Sequence, residues 1–444
     1  MIDRNNGSIG RLLVHGAGVS MAVRVFGIAL SYAANVLLSR TLGVDAYGEY
    51  VIALSWALTL TLPAKAGFDN SALRYSTIYL ERGDFAAFRG FVRIAASTVA
   101  IVSLAIGALI WVAGADLIPV GWNTRVWAAL LVLPLALLTF FSVVMRTARR
   151  IVSSQFYEQI LRPSLIILGI GAAFFEGLRL TPASAMALTV FAAAAALVVI
   201  VVETKRTFRH ARTQAPRYEE WRQWIGVSVP MLLMGVVQEL MNQIDIILLG
   251  QMANARAAAV FAASWRLASL VPFALVGLAT LGAPLIAAAY ERGSTDELRR
   301  VSKIVARLSF VFAVLSALVL FALGKPLLAL FGPGFVAGDR VLSILLLGGV
   351  VNAFTGVVSY FATMTGRERQ ALAIFAGALV LSIVLNVLLI PRFGAVGAAV
   401  ASSSATVAWN LALLLYVRRA IGIDASALAL APRRTDDDAR SRVA

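Results

Sequence analysis

The stretch SWALTLTLP, Ser55 to Pro63, returns later in the chain as SWRLASLVP, Ser264 to Pro272. Both copies share the frame Ser-Trp-x-Leu-x4-Pro, and their surroundings agree as well. ANVLLSRTLGVDAYGEY (34–50) precedes the first and DIILLGQMANARAAAVF (245–261) the second, each reading as the end of a long helix, a short turn and the next helix. The longest polar connection, ETKRTFRHARTQAPRYEEWRQW (203–224), falls between them. The frame therefore marks an internal repeat. Its prolines, Pro63 and Pro272, are expected kinks, because proline removes a helix hydrogen bond. Only the second copy carries a charge in the frame, Arg266.

Composition says what the two halves are made of. The chain is 60% hydrophobic and 14% charged, against about 45–50% and about 25% in soluble domains, so it reads as an integral membrane protein. With no cysteine, disulfides, iron–sulfur clusters and thiolate metal sites are excluded. The net charge of +16 reports loop topology rather than nucleic acid, which is not an expected partner. The apolar run from Leu12 is too long for a signal-peptide core and continues as a span.

A spanning helix needs about 20 mainly apolar residues. Twelve such spans are expected, near 12–39, 47–66, 94–113, 126–145, 163–177, 184–202, 224–250, 258–288, 308–324, 341–363, 372–390 and 395–417. The fold class is thus all-α integral membrane, with two six-helix lobes of parallel pseudo-repeat topology. Residues 1–203 form the N-lobe, 204–223 a cytoplasmic basic linker, 224–419 the C-lobe and 420–444 a cytoplasmic tail expected to be solvated and disordered. With the N-terminus inside, the outer connections hold only Arg40, Arg125, Arg179, Arg256, Lys325, Arg340 and Arg392 of the 39 basic residues. That asymmetry puts both termini in the cytoplasm. Three basic residues are left within spans: Arg24, Lys65 and Arg266.

A charge at mid-helix costs about 2.5–3.5 kcal/mol on insertion scales, so such residues face a bundle interior or a water-filled cavity. At 1.5 Å per residue, Arg24 lies about 18 Å deep and Arg266 about 12 Å from the outer end. Ser20, Arg24, Ser31 and Asn35 share a face of span 1, while Gln238, Glu239, Asn242 and Asp245 share one of span 7. Arg266, Ser269 and Thr280 form a stripe in span 8. Lys65 sits near an inner helix end with Asp69 four residues on, an arrangement more structural than functional. The alternative reading has Arg24 and Arg266 paired with Glu239 and Asp245 as structural locks between lobes.

What is missing narrows the function. There is no P-loop motif for ATP and no HExxH, nucleophile elbow or paired carboxylates. The outer loops are too short for a catalytic domain. An enzyme is not expected, and a secondary transporter with its cavity between two lobes is.

LLSRTLGVDAYGEYVIALS (37–55), GFDNSALRYS (67–76) and DIILLGQMANARAAAVFAASWRLA (245–268) resemble the polysaccharide-biosynthesis flippases, with L-G-x3-Y-G and D-x2-L-L-G the most specific motifs. These O-antigen and exopolysaccharide exporters belong to the superfamily that also holds the multidrug extruders and the peptidoglycan-precursor flippases. The resemblance covers residues 8–418. It implies a bacterial inner-membrane protein that moves an undecaprenyl-pyrophosphate-linked oligosaccharide between leaflets by alternating access. Membrane lipids, a glycan polymerase and glycosyltransferases are the implied partners. Arg24, Asn35, Lys65 and Arg266 would then line a cationic substrate cavity. Peptidoglycan-precursor flippases carry cavity arginines in spans 1 and 8, where Arg24 and Arg266 stand. The span 1 carboxylate common in extruders is absent, so Gln238, Glu239, Asn242 and Asp245 are the expected polar or ion-coupling group, for a proton or sodium, with no other cofactor. The alternatives are a cation-coupled multidrug exporter and a membrane glycan polymerase or ligase.

Overall fold

The N-terminal helices show how this sequence builds span-length rods. In the computed structural model, which describes residues 3–148, 150–272, 292, 294–356, 358–364, 366–422 and 424–428, α1 runs Asp3–Leu42 and α2 Val44–Ala64. Between them Gly43 takes φ 78, a left-handed value that glycine adopts without strain. Pro63 stands in the last turn of α2. The chain then passes through Ala66 (φ 49) and Gly67 (φ 76) and resumes as α3, Phe68–Glu81. The two axes differ by 44°. The first expected proline kink is therefore a broken span. Gly67 has a further reason to be glycine: a Cβ there would sit 2.0 Å from the Ser228 carbonyl oxygen.

Helix α4 (Phe85–Leu117) starts on Asp84, whose carboxylate accepts from the Ala87 amide, the usual satisfaction of an orphan N-terminal donor. α5 spans Trp122–Thr147. Its amino end is capped from a distance: Glu49 Oε1 accepts from Gly121 N (2.9 Å) and Thr124 Oγ1 (2.7 Å). α5 is also the most enclosed span, 67% buried against 17% for α1. α6 (Ile151–Phe156), a π-turn (Tyr157–Leu161) and α7 (Arg162–Phe175) together make one rod. α8, Pro182–Thr207, opens with a Thr181–Ser184 capping box and Pro182 in its first turn. After a 3₁₀ turn (Arg209–Thr213) come α9 (Trp221–Met252) and α10 (Ala255–Ala268). The later helices are α11 (Thr295–Ala322), α12 (Gly324–Ala329), α13 (Asp339–Thr355), α14 (Val358–Met364) and α15 (Glu368–Ile421). No strand occurs among the described residues. The all-α integral-membrane class is the one found.

Eight described helices are long and apolar enough to cross a membrane, nine with the bent pair α2–α3. The difference from twelve has physical causes. α15 has 54 residues, about 81 Å if straight, over twice a bilayer's hydrocarbon core of about 30 Å. Gly394 breaks it with φ 54 and ψ −130. A Cβ on Gly397 would lie 2.5 Å from the Leu389 carbonyl oxygen, so the chain folds back and two spans share one element. α9 has span length, but its polar run from Gln238 to Asp245 lowers its apolarity. The eighth expected span continues from α10 into residues 273–291, which lie outside the described residues, with Thr280 among them. The tail beyond Leu428 lies there too.

One boundary needs correction. The fifth span was expected to start at Pro163, whereas the apolar rod is Val152–Phe175. It takes in Gln155, Glu158, Gln159 and Arg162, which the sequence reading left in a cytoplasmic connection.

Packing divides the chain into two compact units, residues 1–263 with 327–337, and 264–326 with 338–444. α9 thus packs with the N-terminal helices, on α2 and α3, although repeat ancestry assigns it to the second lobe. Contact and ancestry are different divisions of the chain. Between helices in lipid, close approach of small residues replaces hydrophobic driving force. A Cβ on Gly48 would sit 1.9 Å from Ala255 O, and one on Gly250 would sit 2.9 Å from Ile52 Cδ1. The segment 208–220 is no loose linker either. Arg217 N donates to Ala86 O, Arg217 Nη2 to Asp84 Oδ2 (2.6 Å), and Arg89 to the Gln214 carbonyl. The Asp84 hydrogen bond holds the Arg217 guanidinium above its ordinary pKa. Tyr79 donates to Glu220 and accepts from Trp224 Nε1 (2.8 Å), closing the joint with a buried aromatic pair.

Candidate functional site: the polar groups within the spans

Span 1 sets the pattern. Ser20, Arg24, Gly27 and Ser31 follow one another at intervals of four, three and four residues, a single helical face. Two of them touch the rod of α6, the π-turn and α7. Ser20 Oγ donates to Gln155 Oε1 at 2.8 Å, and a Cβ on Gly27 would meet Gln159 Cβ at 2.7 Å. Arg24 lies between these two contacts and is half-buried. It has no ion pair or hydrogen bond among the described residues.

The facing rod is the part of the site that sequence reasoning missed. Gln155, Glu158, Gln159 and Arg162 stand at i, i+3, i+4 and i+7, a polar stripe that was readable by its spacing. Reading Pro163 as the span's start concealed it. The π-turn widens the helix there, a distortion frequent at functional sites. Glu158 Oε1 is buried with no hydrogen-bond partner among the described residues. Burying a polar group unpaired costs about 1–3 kcal/mol, more when it is charged. An orphaned carboxylate oxygen of this kind is an acceptor for a proton, a cation or a donor on a ligand. Arg162, half-buried, lies within this apolar rod and was not among the three basic residues counted in spans from the sequence.

The other expected residues divide by what they touch. Asn35 Nδ2 donates to Ser31 O (2.7 Å) and its Oδ1 accepts from Tyr47 Oη (3.1 Å). Both ends of the amide are engaged, and it braces α1 against α2. Lys65, 8% exposed, pairs with Asp69 Oδ2 at 2.8 Å. That bridge locks the bend between α2 and α3.

On α9 the four polar residues separate. Gln238 and Asn242 are exposed, and Glu239 is half-buried and accepts from Gln243 Nε2 at 2.9 Å. Asp245 is 2% exposed, among Ile244, Ile246 and Ile247, which are buried with it. No cluster of three or more His, Asp or Glu able to hold a metal occurs among the described residues.

Arg266 belongs to the second unit. It stands in the last turn of α10, where the helix dipole favours a cation. It is half-buried and its Nε is enclosed with no hydrogen-bond partner among the described residues. No carboxylate lies within ion-pair distance of either Arg24 or Arg266 among the described residues. Such guanidiniums offer planar forks of donors to an anion.

A family model described as "Polysaccharide biosynthesis protein" matches residues 13–281, and one described as "MatE" matches residues 230–388. Similar solved structures include an inward-facing multidrug resistance MATE family transporter of the MOP superfamily. It is 15% identical, with 91% of this chain and 98% of the other covered and a TM-score of 0.73. Lipid II flippase MurJ in an inward closed conformation is also 15% identical, with 90% and 87% covered and a TM-score of 0.70. A MOP superfamily transporter from Pyrococcus furiosus, described by the reverse polarity of its binding pocket, is 16% identical, with 92% and 94% covered and a TM-score of 0.59. At such identities the likeness is one of fold. No curated protein sequence matches.

Proposed function

Because the chain belongs to the polysaccharide biosynthesis protein family, we propose that it is a flippase for an undecaprenyl-pyrophosphate-linked oligosaccharide, feeding O-antigen, capsule or exopolysaccharide synthesis. It is a multi-pass membrane protein with the fold of MOP-superfamily transporters, and neither its family nor its fold is that of an enzyme. The observation that carries the cargo is that two span arginines, Arg24 and Arg266, have no carboxylate partner among the described residues. A pyrophosphate presents several anionic oxygens, and charge-assisted bonds to guanidinium are among the stronger ones available. A cavity selecting cationic drugs would instead favour carboxylates. The lipid-linked cargo named for MurJ supports the same reading.

In this account the glycan crosses through a polar interior while the lipid tail stays in the bilayer, from the inner to the outer leaflet of a bacterial inner membrane. The abundance of basic residues on one side sets both termini in the cytoplasm. Lys65 and Asn35 shape the helices around the path. Asp245 or Glu239 carries the coupling proton or sodium, and polymerase and glycosyltransferases act on either side of the step. The second reading is a cation-coupled drug exporter, favoured by the likeness to a multidrug transporter.

The test is a deletion strain complemented with wild type or with Arg24→Ala plus Arg266→Ala, with lipid-linked precursor assayed by leaflet. The flippase reading requires precursor trapped inside and surface glycan restored by wild type alone. Undiminished surface glycan in a strain without a redundant flippase would move the drug exporter to first place.

A further inference from the structure

A cavity of about 600 Å³ in the first unit is lined by none of the arginines or carboxylates assigned to transport. It lies along the last turns of α8, and Arg150 and Tyr157 complete its lining. Its floor is a packed cluster in which Tyr157 joins Leu138, Met145, Ala196 and Ile200. The cavity has two chemical halves.

One half is a ladder of valines. Val198 and Val202 are 62% and 41% exposed, and they precede Arg206 by eight and four residues, so all three lie on one helical stripe. Val199, also exposed, widens the ladder. The other half is polar and basic. Arg150 Nη1 donates to Glu203 Oε1 at 3.1 Å, leaving most of its guanidinium donors unused. Arg206 has no ion pair among the described residues, and Thr207 Oγ1 is buried without a hydrogen-bond partner there. Two arginines against one glutamate leave the cavity net positive. Lys205 and Arg209 flank it in sequence.

We propose that this cavity is the seat of one anionic phospholipid of the basic, inner-side leaflet. Its phosphate lies between Arg206 and Arg150 and accepts from Thr207, while an acyl chain runs up the Val202–Val198 ladder. Charge complementarity selects the phosphate, and the ladder selects a lipid over a soluble phosphate, which would have no use for exposed valines. About 600 Å³ is within the usual range for a small-molecule site. The place is right as well, because Lys205 and Arg206 stand in the last turn of the apolar α8, and basic residues at the end of a span attract anionic lipid. The assignment does not depend on what the protein transports.

The test is native mass spectrometry of the full chain released from detergent, with phosphatidylglycerol and phosphatidylcholine of matched chains offered together. One phosphatidylglycerol is expected to be retained at least about ten-fold over phosphatidylcholine. Arg206→Gln, which breaks no ion pair, is expected to lower that retention about ten-fold. Val198→Asn plus Val202→Asn is expected to lower it with no change in competition by inorganic phosphate. Thermal unfolding in lipid-free detergent is compared for every variant, and Arg206→Gln should match wild type. Equal retention of both lipids, or undiminished retention in Arg206→Gln, would overturn the assignment. Displacement of the lipid by millimolar inorganic phosphate would overturn it too, by showing a headgroup site with no part for the ladder.

Discussion

The two copies of the Ser-Trp frame show what one helix end becomes in two surroundings. Each opens on a buried serine, Ser55 at 2% and Ser264 at 0% exposure. Ser264 donates to the Gly338 carbonyl at 3.1 Å. Each frame also ends where its helix ends. α2 stops at Ala64, just past Pro63, and α10 stops at Ala268, four residues before Pro272. The third position separates them. In the first copy it is Ala57, fully buried on a helix that packs against α5, α8 and α9. In the second it is Arg266, half-buried with an enclosed Nε that has no hydrogen-bond partner among the described residues. A cation, Lys65, stands two residues past the first copy, but its charge is neutralised by Asp69 four residues on. The charge beside the first frame therefore holds a bend, and the charge within the second has no ion pair among the described residues. A repeat conserves the helix geometry, and the two halves differ in the charge each presents.

Exchanging the third positions breaks the comparison hardest. Ala57→Arg buries an unpaired cation in a site with no space, and should cost about 3–5 kcal/mol, read as loss of folded protein by fluorescence-detected gel filtration. Next comes the bend. Gly67→Ala sets a Cβ against Ser228 O and strains a left-handed φ, so about 2–3 kcal/mol is expected. Gly43→Ala, with similar φ but open space, should cost about 1 kcal/mol, both glycine variants being compared by thermal unfolding. Lys65→Ala leaves Asp69 enclosed without its partner and should cost about 1–2 kcal/mol, between the exposed and buried limits for ion pairs. Adding Asp69→Ala should recover part of that loss in a double-mutant cycle. The smallest effect is expected at the exposed Arg256–Asp45 pair, where Arg256→Ala should leave the unfolding temperature unchanged. A clear fall there would mean that the turn before the second frame bears more of the packing than its exposure implies.

Much of the fold was legible because membrane spans are written in one dimension. Length and apolarity located most of the helices, and the i+4 spacing of Lys65 and Asp69, legible in the sequence, is the spacing of an ion pair in the structure. What failed was local weighting. Pro163 read as a helix start, although proline is also accommodated within spans when neighbouring groups satisfy the freed backbone. That choice hid Glu158 and Arg162. Asn35 was legible as a polar residue in a span, but its engagement with Tyr47 was not, because the partner's rotamer and direction depend on how α1 crosses α2. The docked segment 208–220 read as a linker for a similar reason. Its stability lies in Tyr79, Asp84 and Arg89, residues more than a hundred positions earlier, and charge counting along a sequence cannot see such pairs.

The central claim is that unpaired span arginines handle an anionic lipid-linked cargo. It is tested most directly in liposomes holding the purified protein and a fluorescent undecaprenyl-pyrophosphate oligosaccharide, with transfer between leaflets followed by quencher access. Wild type should move the lipid, and Arg266→Ala should slow it about 10–100-fold, the worth of a charge-assisted contact, with an unchanged unfolding temperature. Transfer at the wild-type rate by folded Arg24→Ala plus Arg266→Ala protein would contradict the account.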